Sequence, residues 1–275
     1  MGKFEAYRRT KIAVLGCGNM GAAIIRGLVE HSFYPQNIHV FDTDPKKIQA
    51  LKKEVSVRTA KSARHAASLC DVVILAVKPQ VVASVLHEIG LATPKTTLVI
   101  SIAAGIRIET IQKAFKEKVP VVRVMPNMPA LVGEGMSAYC LGAFASASHQ
   151  KVTEAILGAI GEAVQVKESL IDLVTALSGS GPAYFFLLAE KMIESACALG
   201  MKSDVAKKLV YQTAVGSAAV LNKTQEDPES LIARVASKGG TTEAALKVFR
   251  QKGLGKVVGD AIEAALKRSK ELERP

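Results

Sequence analysis

Aromatic side chains are scarce in this chain: 5% of its 275 residues, with no tryptophan. Lysine and arginine number 36 against 25 acidic residues, a formal charge of +11. That excess is dispersed rather than clustered, and it lacks interleaved aromatics, so it does not outline a nucleic-acid surface. It suits anionic small molecules instead. The densest basic stretch, 267–270, reads as a solvated helix end. The four cysteines, Cys17, Cys70, Cys140 and Cys197, stand far apart and form no CxxC. This excludes a disulfide framework and the usual zinc spacing, and it fits a reducing cytosol. No metal site is expected. Residues 1–10 are mixed in charge and lack an apolar core, so no signal peptide is expected. No uninterrupted apolar run is long enough for a bilayer, so no membrane partner is expected and the chain is placed in the cytoplasm.

Apolar residues make up 49% and charged residues 22%, the balance of a globular chain, and the length allows one large or two ordinary domains. The organising stretch is 11–21. Residues 12–15 are an apolar run suited to a buried parallel strand. Gly16, Gly18 and Gly21 follow as G-x-G-x-x-G, with Cys17, Asn19 and Met20 between them. Ile24, Ile25, Leu28 and Val29 then fall on one helical stripe. Strand, glycine turn and helix together fit a dinucleotide pyrophosphate site. Gly16 permits the turn, Gly18 the approach of the phosphates, and Gly21 close packing of helix on strand. Cys17 reads as a small filler.

Strand and helix alternate through the first half. A strand at 38–41 ends in Asp42, about 20 residues past the last glycine, where a carboxylate bonds the adenosine ribose hydroxyls and favours NAD. Thr43, Lys46 and Lys47 follow at once and would hold a 2′-phosphate were Asp42 turned away. The same lysines also read as the solvated first turn of a helix with Asp44 as cap and Pro45 at its first position. Further strands are expected at 55–57, 71–76, 98–102, 121–125, 136–141 and 163–166. Helices are expected at 62–69, 81–89, 108–115 and 149–160. Small residues at 103–105 leave room for a ligand at a strand's carboxyl end, or serve close packing. Met125-Pro-Asn-Met-Pro-Ala130 makes a rigid turn presenting the Asn127 amide.

After Ser169 only helical periodicity remains, with a domain boundary between 166 and 167. A long helix over 182–199 is apolar all round and is expected to be buried, partly against another subunit. Helices capped by Ser203, by Asp227 with Pro228, and by Gly240 or Thr241 follow, then one over 254–270. Ser237-Lys-Gly-Gly-Thr-Thr242 puts several backbone N–H groups and two hydroxyls at a helix start. That has the form of an anion site suited to a carboxylate, and also of an ordinary interhelical turn with a threonine cap.

These motifs together resemble pyrroline-5-carboxylate reductase over nearly the whole chain. The likeness rests on Gly16-Cys-Gly-Asn-Met-Gly21, Ala76-Val-Lys-Pro79, Ser101-Ile-Ala-Ala-Gly105, Met125-Pro-Asn-Met-Pro-Ala130, Thr175-Ala-Leu-Ser-Gly-Ser-Gly-Pro-Ala-Tyr184 and Ser237-Lys-Gly-Gly-Thr-Thr242. The resemblance implies an α/β Rossmann N-terminal domain (1–166) followed by an all-α C-terminal domain (167–275) that binds substrate and dimerises, often in rings of dimers such as a decamer. It implies reduction of 1-pyrroline-5-carboxylate to L-proline by NADPH, or by NADH if Asp42 governs. Cofactor contacts would come from Gly16, Cys17, Gly18, Asn19, Met20, Gly21, Asp42, Thr43, Ala76, Val77, Lys78, Pro79, Ala103 and Asn127. The substrate would meet Glu168, Ser237, Gly239, Gly240, Thr241 and Thr242, with Thr242 on the ring nitrogen as the catalytic residue. The chain departs from the family at Met128 (usually Thr), Ala176 (often Gly) and Lys238 (often Pro). None of these removes a proposed binding group. The five histidines, His31, His39, His65, His87 and His149, lie outside every motif and read as structural or exposed.

Overall fold

The computed structural model describes residues 4–273. Chain contacts divide it into two compact units: one runs to Gly179 and regains the residues from Leu266 onward, and the other is Ser180–Ala265. The division thus falls at Gly179 rather than at 166/167. Its cause is local. Ile171 and Ala176 are buried, at 1% and 0% exposure, and Ile171 belongs to a core layer of the sheet.

The first unit is built on eight strands: β1 Ile12–Leu15, β2 Ile38–Phe41, β3 Arg58–Thr59, β4 Val72–Leu75, β5 Leu98–Ser101, β6 Val121–Met125, β7 Gly135–Leu141 and β8 Gly161–Gln165. They lie in the order β3-β2-β1-β4-β5-β6-β7-β8. Pairing is parallel from β3 through to β6, antiparallel between β6 and β7, and parallel again between β7 and β8. In the central register Val14 stands between Val40 and Ile74.

The helices explain why the strands are continuous apolar runs. Side chains alternate across a strand, so β1 sends Ile12 and Val14 to one layer and Ala13 and Leu15 to the other. The first layer is filled by Ile24, Ile25 and Leu28 of α1 (Asn19–Glu30). The second layer is filled from α3 (Ala63–Leu69), α4 (Pro79–Ile89) and α5 (Ile108–Gln112), which follow α2 (Pro45–Lys52) in the chain. With both faces covered, β1 and β4 are apolar throughout, and the polar side chains buried further along, Ser101 on β5 and Arg123 on β6, are exceptions to that rule. On the first layer α6 (Ala147–Leu157) adds Ile156 and Leu157. The third strand forms at Arg58–Thr59 rather than at 55–57. Val57 is 5% exposed and fills the core, while the backbone pairs with β2 through Arg58 and Thr59.

After the short α7 (Ile171–Val174) and a π-helical turn at Thr175–Gly179, the second unit is helical. It holds α8 (Gly181–Ala198), α9 (Ser203–Thr224), α10 (Pro228–Val235), α11 (Thr241–Gln251) and most of α12 (Leu254–Leu272). Asp44 and Asp227 cap α2 and α10 as expected, each accepting the N–H two residues on. Lys202 rather than Ser203 stands at the N-cap of α9. The expected burial of α8 is absent within one chain: only Gly181 is buried, and Phe185 is 74% exposed. The helical stretch Glu168–Ala198 is long and apolar enough, by length and composition, to cross a membrane.

Candidate functional site

The loop after β1 turns where Gly16 adopts a φ of +105°, in the left-handed region. A Cβ on Gly16 would stand 2.4 Å from the Ala76 carbonyl oxygen, and one on Gly21 would stand 2.1 Å from that of Gly16. Both glycines are therefore needed for close packing of loop, helix and β4. Gly18 is different: a Cβ there meets nothing within 4 Å. Gly18 is also the N-cap of α1, with no side chain to satisfy the first-turn N–H groups. Open space beside an uncapped helix N-terminus at the carboxyl edge of the sheet is a cradle for a phosphate.

That loop opens on a cavity of about 410 Å³ lined by Gly16, Gly18, Asp42, Thr43, Lys47, Ala76, Val77 and Lys78. Leu15, Phe41, Ala63, Val81, Ser84, Val85 and Glu88 complete it, and the four from α4 were not anticipated. Their spacing of three, four and seven residues on one helical stripe was the available signal. Val81 is 44% exposed, an apolar side chain offered to the cavity.

Asp42 is 8% exposed at its side chain and is engaged within the protein. Its Oδ2 accepts the Cys17 N–H at 2.8 Å, its Oδ1 accepts the Asp44 N–H at 2.8 Å, and Lys47 Nζ lies 3.6 Å from Oδ1. Burial and the Asp42 charge push the Cys17 thiol up to about 11, so it stays protonated and inert. Lys46 is exposed and its N–H caps onto Asp44.

Other expected cofactor residues take different places. Pro79 is the first residue of α4, and Lys78 is its N-cap. Ala103 is 4% exposed, so its side chain belongs to the core and only its backbone is left for a ligand. Asn127 donates to the Ser178 carbonyl at 3.1 Å and accepts the Met136 N–H at 2.8 Å. It thereby ties the π-helical turn to β7.

In the second unit, Gly240 is the N-cap of α11. Gly239 has a φ of +74° and donates its N–H to Glu243 Oε2 at 2.6 Å. Gly239 and Gly240 line a concavity of about 570 Å³ with Glu243, Lys247 and Arg250. Thr242 lines a separate apolar cavity of about 670 Å³ with Ser217, Leu221, Leu231 and Ile232. Ser237, Lys238 and Thr241 are exposed. Glu168 lies in the first unit, where its Oε1 accepts the Ile108 N–H at 2.8 Å and meets Arg123 Nη1 at 3.3 Å.

Residues 168–272 match a family model described as pyrroline-5-carboxylate reductase dimerisation, and residues 11–105 match one described as NADP oxidoreductase coenzyme F420-dependent. A pyrroline-5-carboxylate reductase of Corynebacterium melassecola is 38% identical over 266 residues, covering 96% of this chain and 98% of that one. The structure of a pyrroline-5-carboxylate reductase from Coxiella burnetii superposes with a TM-score of 0.92 at 35% identity, covering 97% of this chain and 99% of its own. That of Plasmodium falciparum pyrroline carboxylate reductase with NADP bound gives 0.84 at 30% identity, with the same coverage.

Proposed function

Since this chain belongs to the pyrroline-5-carboxylate reductase family, we propose the residue roles, the cofactor preference and the assembly through which it performs that family's reaction. The enzyme reduces 1-pyrroline-5-carboxylate to L-proline with NAD(P)H, the last step of proline biosynthesis. The bound nicotinamide supplies the hydride.

The carrying observation is the contrast among the three glycines: two are packed against backbone and Gly18 alone faces open space, at the uncapped start of α1. Gly16, Gly18 and the first turn of α1 (Asn19, Met20, Gly21) hold the pyrophosphate through backbone N–H groups. Cys17 acts by fixing its own N–H to Asp42, which locks the loop. The face lined by Val81 and Val85 takes the adenine, while Ala76, Val77 and Lys78, which line the same cavity, flank the nicotinamide side with Pro79 and the backbone of Ala103, which do not line it. Asn127 positions rather than contacts.

NADPH is the preferred cofactor. Both Asp42 oxygens already accept backbone N–H groups, which weakens it as a partner for ribose hydroxyls. Thr43 and Lys47 face the cavity beside it and supply a hydroxyl and a cation for a 2′-phosphate.

The substrate carboxylate is held by the Gly239 and Gly240 turn with Ser237 and Thr241, at the N-terminal end of α11. Glu243 occupies the Gly239 N–H in the free chain, so the incoming carboxylate displaces one acid with another. Glu168 supports the substrate region. Thr242 donates its hydroxyl proton as a hydrogen bond to the ring nitrogen. A hydroxyl of ordinary pKa does not act as a general acid near pH 7, so its work is to orient and polarise the C=N bond while water delivers the proton. Thr242→Ala is expected to lower kcat/KM for pyrroline carboxylate about 10- to 100-fold, with NADPH binding unchanged. Full kcat/KM in that variant would remove Thr242 from the mechanism.

The chain forms oligomers through the region matched by the dimerisation model. The basic unit is a homodimer, assembled further into a ring such as a decamer, in the cytoplasm. The cofactor belongs to the sheet-bearing unit, and substrate binding and dimerisation belong to the helical stretch matched at 168–272.

A further inference from the structure

The turn that follows β5 is held chiefly by Glu273, Arg107 and Arg123, which no step of the reaction uses. Gly105 has a φ of +73°, and a Cβ on it would stand 3.0 Å from the Leu272 carbonyl oxygen, so the 103–105 backbone abuts the final turn of α12. Just past that turn, Glu273 binds two guanidinium groups at once. Its Oε2 meets Arg107 Nε at 2.9 Å and Nη2 at 2.8 Å, and its Oε1 meets Arg123 Nη2 at 2.7 Å. Both Arg123 and Glu273 are buried, with 3% and 6% of their side chains exposed. Arg123 is rooted in β6 and Arg107 is the N-cap of α5, so Glu273 fastens the outgoing end of the 103–105 turn to the sheet. Two further ties hold the assembly. Glu168 takes the Ile108 N–H and meets Arg123, and Ser269 donates to Asp172 at 2.7 Å. The Arg123–Glu273 pair is buried, so leaving either partner unpaired is costly, whereas the Arg107 leg, with 64% of its side chain exposed, adds direction more than energy.

We propose that the last turn of α12 is a positioning element for the nicotinamide side of the cofactor site, with Glu273 as the positioning residue acting through Arg107 and Arg123 on the 103–105 turn. This rests on the reading that the 103–105 backbone meets the cofactor. With the clasp intact the turn is preorganised. Without it the turn relaxes and cofactor binding must order it.

The test uses the full-length enzyme and three variants: Glu273→Ala, Glu273→Gln and Ala104→Leu, the last placing bulk at an exposed position of the turn itself. NADPH affinity is measured by equilibrium fluorescence titration, and steady-state kinetics give kcat and both KM values. Glu273→Ala is expected to raise the NADPH Kd and KM about tenfold with kcat within about twofold. Glu273→Gln, which keeps one acceptor oxygen, falls between. A merely structural role would lower the active fraction, and so kcat, while leaving NADPH KM unchanged. Glu273→Gln carries the test should the alanine variant not fold. If Ala104→Leu weakens NADPH binding and neither Glu273 variant does, the positioning role is wrong while the placement of the turn stands. If Ala104→Leu leaves NADPH binding unchanged, the turn does not meet the cofactor and the proposal falls with that reading.

Discussion

At the scale of single residues, the glycine loop separates two demands that one motif usually merges. Gly16 and Gly21 answer to packing, because any side chain there runs into backbone oxygen, whereas nothing in the chain crowds Gly18, which leaves it free for the proposed phosphate contact. Gly16→Ala is therefore expected to destabilise the fold by about 1–3 kcal/mol or more, since it adds strain at positive φ to the clash. Gly18→Ala is expected to melt within a degree or two of the parent and to weaken NADPH binding about tenfold, by obstructing the phosphates. Thermal melts and NADPH titration check the pair, and equal destabilisation by both would contradict the division of roles. The packing of Gly16 and Gly21 was legible in the sequence, because it follows from the G-x-G-x-x-G spacing beside an apolar run. The partner of Asp42 was not. Its position after β2 announced a carboxylate at the right edge, but only the fold brings the Cys17 N–H to it across 25 positions. The same limit applies to Asn127, whose amide bonds Ser178 and Met136, groups well separated from it in sequence.

At the scale of elements, the β1–α1 and β2–α2 units declare themselves through apolar runs, caps and a proline at the first helical turn, and their bounds follow the local signals closely. Elements decided by distant partners do not. The third strand forms where β2 offers hydrogen bonds, not where the valines are. The final turn of α12 looks in sequence like a solvated basic helix end, yet Glu273 just beyond it reaches Arg123, 150 positions away. That anchor has a pH signature. Burial pushes the Glu273 carboxyl up, but the hydrogen bonds and charges of Arg123 and Arg107 more than reverse this, leaving it below the usual carboxylate range. A group whose folded-state pKa is depressed stabilises the fold above its unfolded pKa and loses that contribution as pH falls through the folded one. Parent and Glu273→Gln should therefore differ most in Tm near neutrality, and the gap should close as pH falls through and below the ordinary carboxylate range. A gap independent of pH over that window would show that the charge of Glu273 contributes nothing.

At the scale of the whole molecule, the second unit is incomplete as a single chain. Phe185, Phe186, Leu187 and Leu188 stand in sequence on α8 at 74, 57, 56 and 50% exposure, and Leu199 is 89% exposed. A helix that is apolar all round is covered in a stable protein, and the dimerisation model spans it. The composition called for α8 to be buried, partly against another subunit; within one chain only Gly181 of the helix is buried, so what the sequence understated is how much of it one chain leaves bare. Phe185→Glu should raise the dissociation concentration of the oligomer at least about tenfold in sedimentation, since a phenylalanine contributes about 1.5–3 kcal/mol when buried. An unchanged sedimentation profile would place the contact elsewhere. The measurement that bears most directly on the whole account is oxidation of NADPH and of NADH, in parallel, by the full-length protein with 1-pyrroline-5-carboxylate. Turnover to proline with kcat/KM at least about tenfold higher for NADPH is the predicted result, matching an Asp42 held inside the protein and a Lys47 facing the cavity. Binding of both cofactors with no turnover from either would contradict it.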